Sequence, residues 1–368
     1  MCKLKIFLLS IICLIFASHV YVSAQEKAET ERTDAYAAQL ENYLNQYLID
    51  QYDERAAKAW NRDYSSIDAF VRSVEPNRAR WKSVVIKPPV LMKSGPVARK
   101  PFVIEGIEGE WLEIPLGPVT AQAFLAFPKD NKKGKLPLVL VQHGIGSTPE
   151  TPFRDGAYHE YAKELLKAGF AVIVPMNLMS IERRNRIERL CRLADISLPG
   201  IELVRAQYLL DEVLTDIRID PERVGMWGVS LGGMATMFWM PLEHRIKAGV
   251  VSAWFNHRRN KMVIPDDRYV SFLVTQEDHA FFTGWLTEFS DHDVTSLICP
   301  RPLLIQHGKK DAIAHWPQVI DEFNIARTHY EKLKIEERIQ LDVHEGAHEA
   351  IIKSGVEFMT RWLNPAKK

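Results

Sequence analysis

The sequence predicts an α/β fold, a mostly parallel twisted sheet with helices on both faces, preceded by a helical N-terminal extension. Three observations predict it. From residue 102 onward, short apolar runs alternate with segments of helical period. At residues 228–232 the string "GVSLG" places a serine between glycines where an apolar strand pattern gives way to a helical one. Ahead of all this, Tyr36, Leu40, Tyr43, Leu44, Tyr47 and Leu48 recur at spacings of three and four, the mark of an amphipathic helix within residues 33–60.

The first 24 residues have Lys3 and Lys5, an apolar run from Ile6 to Ala17, and small residues Val22 and Ala24 at the minus-three and minus-one positions. This is the pattern of a cleaved secretory signal, with an uncleaved N-terminal anchor as the alternative. The mature chain is expected to begin near Gln25 and to be exported to the periplasm, cell surface or medium. The run is too short for a comfortable membrane span, so no membrane association is expected once it is removed. A second helix is expected over 66–74, before Pro76, and Pro88, Pro89, Gly95, Pro96 and Pro101 mark a linker. The expected organisation is a signal peptide at 1–24, a helical extension and linker at 25–100, and the α/β domain at 101–368.

Within that domain, strands are expected near 102–107, 111–114, 121–127, 138–142, 171–174, 223–227, 248–251, 303–306 and 339–343. Helices are expected near 158–168, 201–217, 231–240, 319–333 and 349–363. The first strands have hairpin spacing and suit antiparallel pairing. The later ones are short, apolar and joined through helices, as in a parallel sheet buried on both faces. Such sheets bind ligands beyond the carboxyl ends of their strands, so the residues just after each strand carry the most weight.

Composition narrows the function classes. Lys plus Arg equals Asp plus Glu at 47 each, so no global charge draws the chain to nucleic acid. Cys2 and Cys13 leave with the signal, and the remaining pair, Cys191 and Cys299, makes neither a disulfide scaffold nor a CxxC metal site. Glu277, Asp278, His279, Asp291, His292 and Asp293 cluster in sequence but match no familiar zinc or calcium spacing, so no metal is expected.

The glycines around Ser230 permit a strained turn and close packing of helix on strand, which pushes the serine out above the sheet edge. A serine hydroxyl attacks poorly unless a base takes its proton, and the base needs an acid to fix its tautomer and stabilise its charged form. "LLIQHGKKD" supplies Asp311 just past one strand, and "LDVHEGAHEA" supplies His348 in the loop after the next. Asp342 and Glu345 are rival acids, but they lie close in sequence to His348. Two N–H groups should stabilise an oxyanion. One is that of Leu231, at a helix N-terminus just after the serine; the other is that of Ile145 in "HGIG", with His143 structural.

The motifs "VQHGIG", "DPERVGMWGVSLGG", "RPLLIQHGKKD" and "EGAHE" resemble those of the α/β-hydrolase superfamily, and within it the dienelactone-hydrolase-like and acetyl-xylan-esterase-like branch, over about residues 102–363. The resemblance implies a serine hydrolase with a covalent acyl-enzyme and no cofactor, acting on a small-molecule ester or an ester-bearing carbohydrate such as a plant polysaccharide. Dienelactone hydrolases proper carry a cysteine nucleophile where this chain has Ser230. Prolyl-oligopeptidase-like peptidases share these motifs, but their propeller needs about 40–45 residues per blade, and only about 75 helical-looking residues precede the α/β domain. The other alternative is a non-catalytic carbohydrate-binding protein on the same fold.

Two insertions follow strand ends. One carries Arg183, Arg184, Arg186, Arg189 and Arg192; the other carries His257, Arg258, Arg259 and Lys261, then Phe281, Phe282 and Trp285. Arg183, Arg184, His257, Arg258 and Trp285 are the substrate-binding candidates. Arginines here could read the carboxylates of a uronate polymer such as pectin, and Trp285 could stack on a sugar, though arginines interleaved with Glu182 and Glu188 equally suit a solvated ion-paired face.

Overall fold

A computed structural model describes residues 25–129 and 134–364, so the expected signal peptide lies outside the described residues. The chain divides into two compact units, Met1–Gln51 and Tyr52–Lys368. In the first, residues 25–45 form a helix continued by a π-helical turn at Gln46–Asp50. Where one helix is expected over 33–60, the backbone breaks at Gln51 and a separate helix runs over Tyr52–Ala59.

The second unit holds a nine-stranded sheet, and each strand overlaps a predicted apolar run: β1 Ala98–Ile104, β2 Ile107–Leu116, β3 Val119–Ala126, β4 Leu136–Gln142, β5 Ala171–Pro175, β6 Ile219–Val229, β7 Ile246–Ser252, β8 Leu303–Gly308 and β9 Ile339–His344, although the strand expected over 102–107 is broken by a hairpin turn at Glu105–Gly106. Their spatial order is β1-β2-β3-β5-β4-β6-β7-β8-β9. β1, β2 and β3 are antiparallel neighbours, and β3 meets β5 antiparallel. The strands from β4 to β9 pair in parallel. All residues of β4, β5 and β8 are buried, as a parallel sheet covered on both faces requires.

The helices before the sheet belong to this same unit. Tyr52 donates to Asp293 Oδ2 at 2.6 Å, Trp60 Nε1 to the Glu288 carbonyl at 2.9 Å, and Trp81 Nε1 to the Phe238 carbonyl at 3.1 Å. Three helices have no clear amphipathic signal in the sequence: Ile181–Leu193, Arg258–Val263 and Asp291–Ile298. Every residue of Asp291–Ile298 is buried, the polar ones included, and only Val294, Leu297 and Ile298 of it are apolar. Cys191 and Cys299 are both buried free thiols, and burial pushes the Cys191 pKa up to about 11. Among the described residues no helix is long and apolar enough to cross a membrane.

A buried polar relay ties the carboxyl ends of three strands together. Trp227 Nε1 donates to Ser252 Oγ at 3.0 Å, and Ser252 Oγ donates to Gln306 Oε1 at 2.6 Å. Gln306 Nε2 donates to the Ile351 carbonyl at 2.7 Å and to Ser354 Oγ at 2.9 Å, and Ile351 N–H returns a bond to Gln306 Oε1 at 3.1 Å. Gln306→Ala leaves several of these buried groups unpaired and is expected to lower unfolding free energy by about 2–4 kcal/mol in urea titrations. A loss under about 0.5 kcal/mol would show that the relay does not hold this edge.

Candidate active site

Ser230 stands at the end of β6, and its backbone is forced into φ 59°, ψ −120° before the helix Leu231–Trp239 begins. A non-glycine residue in the left-handed region is strained. The neighbouring glycines allow that turn by close approach. A Cβ on Gly228 would lie 1.9 Å from the Gly232 carbonyl oxygen, and one on Gly232 would lie 1.9 Å from the Gln142 carbonyl oxygen. Ser230 N–H donates to the Ser252 carbonyl at 2.9 Å, which anchors the corner to β7.

His348 Nδ1 lies 2.8 Å from Asp311 Oδ2. An ionised carboxylate only accepts, so Nδ1 carries the proton and Nε2 presents a lone pair. Asp311 also accepts the Ile313 N–H at 3.0 Å. Burial pushes the Asp311 pKa up, but the His348 hydrogen bond and charge outweigh it, and the net shift is downward. The rival acids are engaged elsewhere, Asp342 with the Ser354 hydroxyl and Glu345 with Lys309 at 2.5 Å. Glu349 braces the His348 loop by accepting the Ala347 N–H at 2.9 Å and meeting His159 Nε2 at 2.7 Å.

Ser230, His348, Leu231 and Ile145 line one cavity of about 530 Å³. The Leu231 and Ile145 N–H groups donate to no carbonyl among the described residues. The Ile145 loop sits tightly over the serine, since a Cβ on Gly144 would lie 3.0 Å from Ser230 Cβ. Tyr158 fixes that loop by accepting the Gly144 N–H at 2.7 Å and bonding Ser147 Oγ at 3.0 Å. His143 is fully buried beneath it, and burial pulls its pKa down to about 4. This constellation can host a nucleophile, its base, an acid behind the base and two oxyanion donors.

The five substrate-binding candidates divide. Arg258 lines the cavity, with its guanidinium bound to Asp291 at 3.0 and 2.8 Å. Arg184 points the other way, buried against Glu202 at 2.6 Å and Asn177 at 2.8 Å. Arg183 is exposed in the first turn of its helix, and the His257 ring caps the helix Arg258–Val263. Trp285 is 2% exposed and packs edge-on against Phe238 at 5.1 Å. None of these four is among the residues lining the cavity. Sequence reasoning missed Trp254, Asn256, Lys261, Glu277 and His307, which do line it. Of these, Lys261 lay in a stretch already singled out for its positive charge and Glu277 in the acid and histidine cluster weighed as a metal site.

Among the described residues, no group of three or more His, Cys, Asp or Glu side chains could hold a metal ion. The acid and histidine cluster is paired off instead: Asp291 with Arg258, Asp278 with Arg189, and His292 with Glu322 at 2.9 Å and Asp293 at 3.1 Å.

The chain has the α/β-hydrolase fold. No protein-family model matches it. It is 25% identical over 253 residues to the Bacillus subtilis (strain 168) protein named "Putative esterase YitV", covering 64% of this chain and 91% of that one. Among solved structures it is similar to one described as a "putative acetyl xylan esterase" from Bacteroides fragilis, with TM-score 0.62 and 17% identity over 81% of this chain and 84% of that one. It is likewise similar to a glucuronoyl esterase from Solibacter usitatus, with TM-score 0.58 and 13% identity over 81% of this chain and 94% of that one.

Because the folded-state pKa of Asp311 is depressed, its ionised form stabilises the fold at pH above the ordinary aspartate value of about 3.9, and that stabilisation is lost as pH falls through the lower folded value. The stability gap between wild type and Asp311→Asn is therefore expected to be largest near neutrality and to shrink below about pH 4. Urea denaturation from pH 7 to pH 3 measures it, and a gap that widens on acidification would contradict the pairing.

Proposed function

We propose that the protein is an exported serine esterase that hydrolyses carboxylic esters on plant-type polysaccharides, acetyl esters first and methyl esters second. The observation that carries this reading is the strained Ser230 opening into the same cavity as His348, whose other nitrogen is held 2.8 Å from buried Asp311.

In this mechanism Ser230 Oγ attacks the ester carbonyl while His348 Nε2 takes the hydroxyl proton. Asp311 holds the ring in the tautomer that leaves Nε2 free and stabilises the imidazolium that forms. The Leu231 and Ile145 N–H groups stabilise the tetrahedral oxyanion, the first aided by the helix dipole. Collapse expels the alcohol, which takes the proton back from His348, and leaves an acyl group on Ser230. Water, deprotonated by the same histidine, then releases the acid.

The relatives' names support an ester on a carbohydrate. Arg184, Arg189, Arg192 and Arg258 each face a carboxylate, which weighs against these four as readers of a uronate. Export rests on the N-terminal pattern of residues 1–24. N-terminal sequencing of secreted material tests it, with a start near Gln25 expected.

Wild type is expected to cleave p-nitrophenyl acetate, and Ser230→Ala to lose at least about 10³-fold in kcat. Acetate and methanol release from xylans and pectins then names the ester. A Ser230→Ala variant that retains wild-type turnover would sink this reading.

A further inference from the structure

The cavity beside Ser230 contains buried polar groups that the hydrolytic mechanism does not use. Three of them lie on the segment after β7. Asn256 is 2% exposed, and its side-chain amide makes no hydrogen bond among the described residues, with Oδ1 wholly buried. Its backbone is nevertheless fixed, since its N–H donates to Asp291 Oδ2 at 2.9 Å. Trp254 Nε1 likewise has no acceptor, although the indole is held beside Phe272 at 6.2 Å and the Arg258 guanidinium at 4.2 Å. Lys261 is 3% exposed and donates to the carbonyls of Val270 and Ile313, with no carboxylate at ion-pair distance among the described residues.

Two further groups complete the wall. His307, 1% exposed, has neither ring nitrogen partnered among the described residues. Burial pulls its pKa down to about 4, so near neutral pH it offers one donor and one acceptor. Glu277 adds a carboxyl group to the lining.

Folded proteins rarely leave such groups without partners, and when they do, a ligand or water normally satisfies them. The chemistry of the set narrows the ligand. An alkyl chain would satisfy none of it. A carboxylate only accepts, so it would suit Trp254 and Lys261 but leave Asn256 Oδ1 unmatched and place its charge in a cavity already lined by Glu277. A hydroxyl both donates and accepts, which is what a mixed set needs. A volume of about 530 Å³ is that of a small-molecule site.

We infer that Trp254, Asn256 and Lys261, together with His307, form a hydroxyl-reading wall that seats a neutral polyhydroxylated ring beside Ser230. These residues determine specificity; they are not members of the hydrolytic set. The inference rests on the esterase reading for the position of the scissile ester, but the wall itself can be tested by binding.

The test uses Asn256→Leu, which keeps volume and removes both amide ends, and Trp254→Phe, which keeps an aromatic ring and removes the donor together with the five-membered ring that bears it. The readout is the ratio of kcat/KM for per-acetylated methyl β-xyloside, and for its mono-acetylated form, to that for p-nitrophenyl acetate. The mono-acetylated ratio is expected to fall at least tenfold in each variant, mainly through KM, whereas the per-acetylated ratio, whose ligand has no free hydroxyl to donate, falls less. Equal falls for both ligands, or no change in either ratio, would overturn the wall. In parallel, methyl β-xyloside and galacturonate are titrated into Ser230→Ala alone and into Ser230→Ala carrying Asn256→Leu, by ligand-observed NMR. Xyloside binding that weakens at least tenfold with Asn256→Leu supports the inference, and tighter binding of galacturonate overturns it. If wild type cleaves no ester, the esterase reading falls while the binding titration still decides the wall.

Discussion

The Ser252 hydroxyl accepts from Trp227 Nε1 at 3.0 Å and donates to Gln306 Oε1 at 2.6 Å, tying three adjacent strands together beneath the carboxyl edge of the sheet. Backbone bonds run alongside: Ser230 N–H to the Ser252 carbonyl and Ala253 N–H to the Gln306 carbonyl, both 2.9 Å. Gln306 then reaches Ile351 and Ser354, on the far side of the His348 loop. Buried polar chains are costly when incomplete and rigid when complete. This one links the ends of β6, β7 and β8 to the segment that follows His348, so the proposed nucleophile, acid and base share one rigid frame although they lie far apart in sequence.

A second buried network supports the wall of the cavity. Asp291 binds the Arg258 guanidinium through both oxygens and also accepts the Asn256 N–H, so one carboxylate sets the course of the segment after β7. Behind it, burial opposes charge on His292, but Glu322 and Asp293 outweigh that and hold its pKa up at about 10. Asp293 also receives Arg62 at 2.5 Å and the Tyr52 hydroxyl at 2.6 Å. Buried pairs of this kind do little for net stability against an apolar alternative, but losing one partner is severe because the other is stranded. Their effect here is positional: they fix the segments that surround the cavity.

The sheet was legible in the sequence because it follows local rules, and the proposed hydrolytic residues were picked out by the same rules. Parallel strands buried on both faces read as short apolar runs, and Ser230, Asp311 and His348 each sit a few residues beyond one. The glycines at 228 and 232 mark the corner because only glycine tolerates the approach of backbone oxygens at that distance. The cavity-lining residues of the insertions were mostly not legible. Arg184 and Arg258 look alike in sequence, yet one is buried against Glu202, 18 residues away, and the other lines the cavity against Asp291, 33 residues away. Asn256 carries no pattern at all, since its significance lies in the partners it lacks. The helix Asp291–Ile298 escaped because it is short and mostly polar in composition, with only Val294, Leu297 and Ile298 apolar.

The division between strand ends and insertions also explains how one fold can keep its chemistry while changing its substrate. The proposed hydrolytic groups stand on turns fixed by the sheet, whereas Trp254, Asn256, Lys261 and Glu277 lie in the long connection between β7 and β8. Yet the two sets are not mechanically independent. Lys261 bonds the Val270 carbonyl within that connection and the Ile313 carbonyl in the loop that carries Asp311. Burial, with Arg258 nearby, pulls its pKa down to about 8, so the clamp is a cation held under strain of desolvation by two neutral acceptors. A ligand oxygen accepting the third Lys261 N–H would relieve part of that penalty. Substrate seating and the placement of the Asp311 loop would then reinforce each other through a single ammonium group.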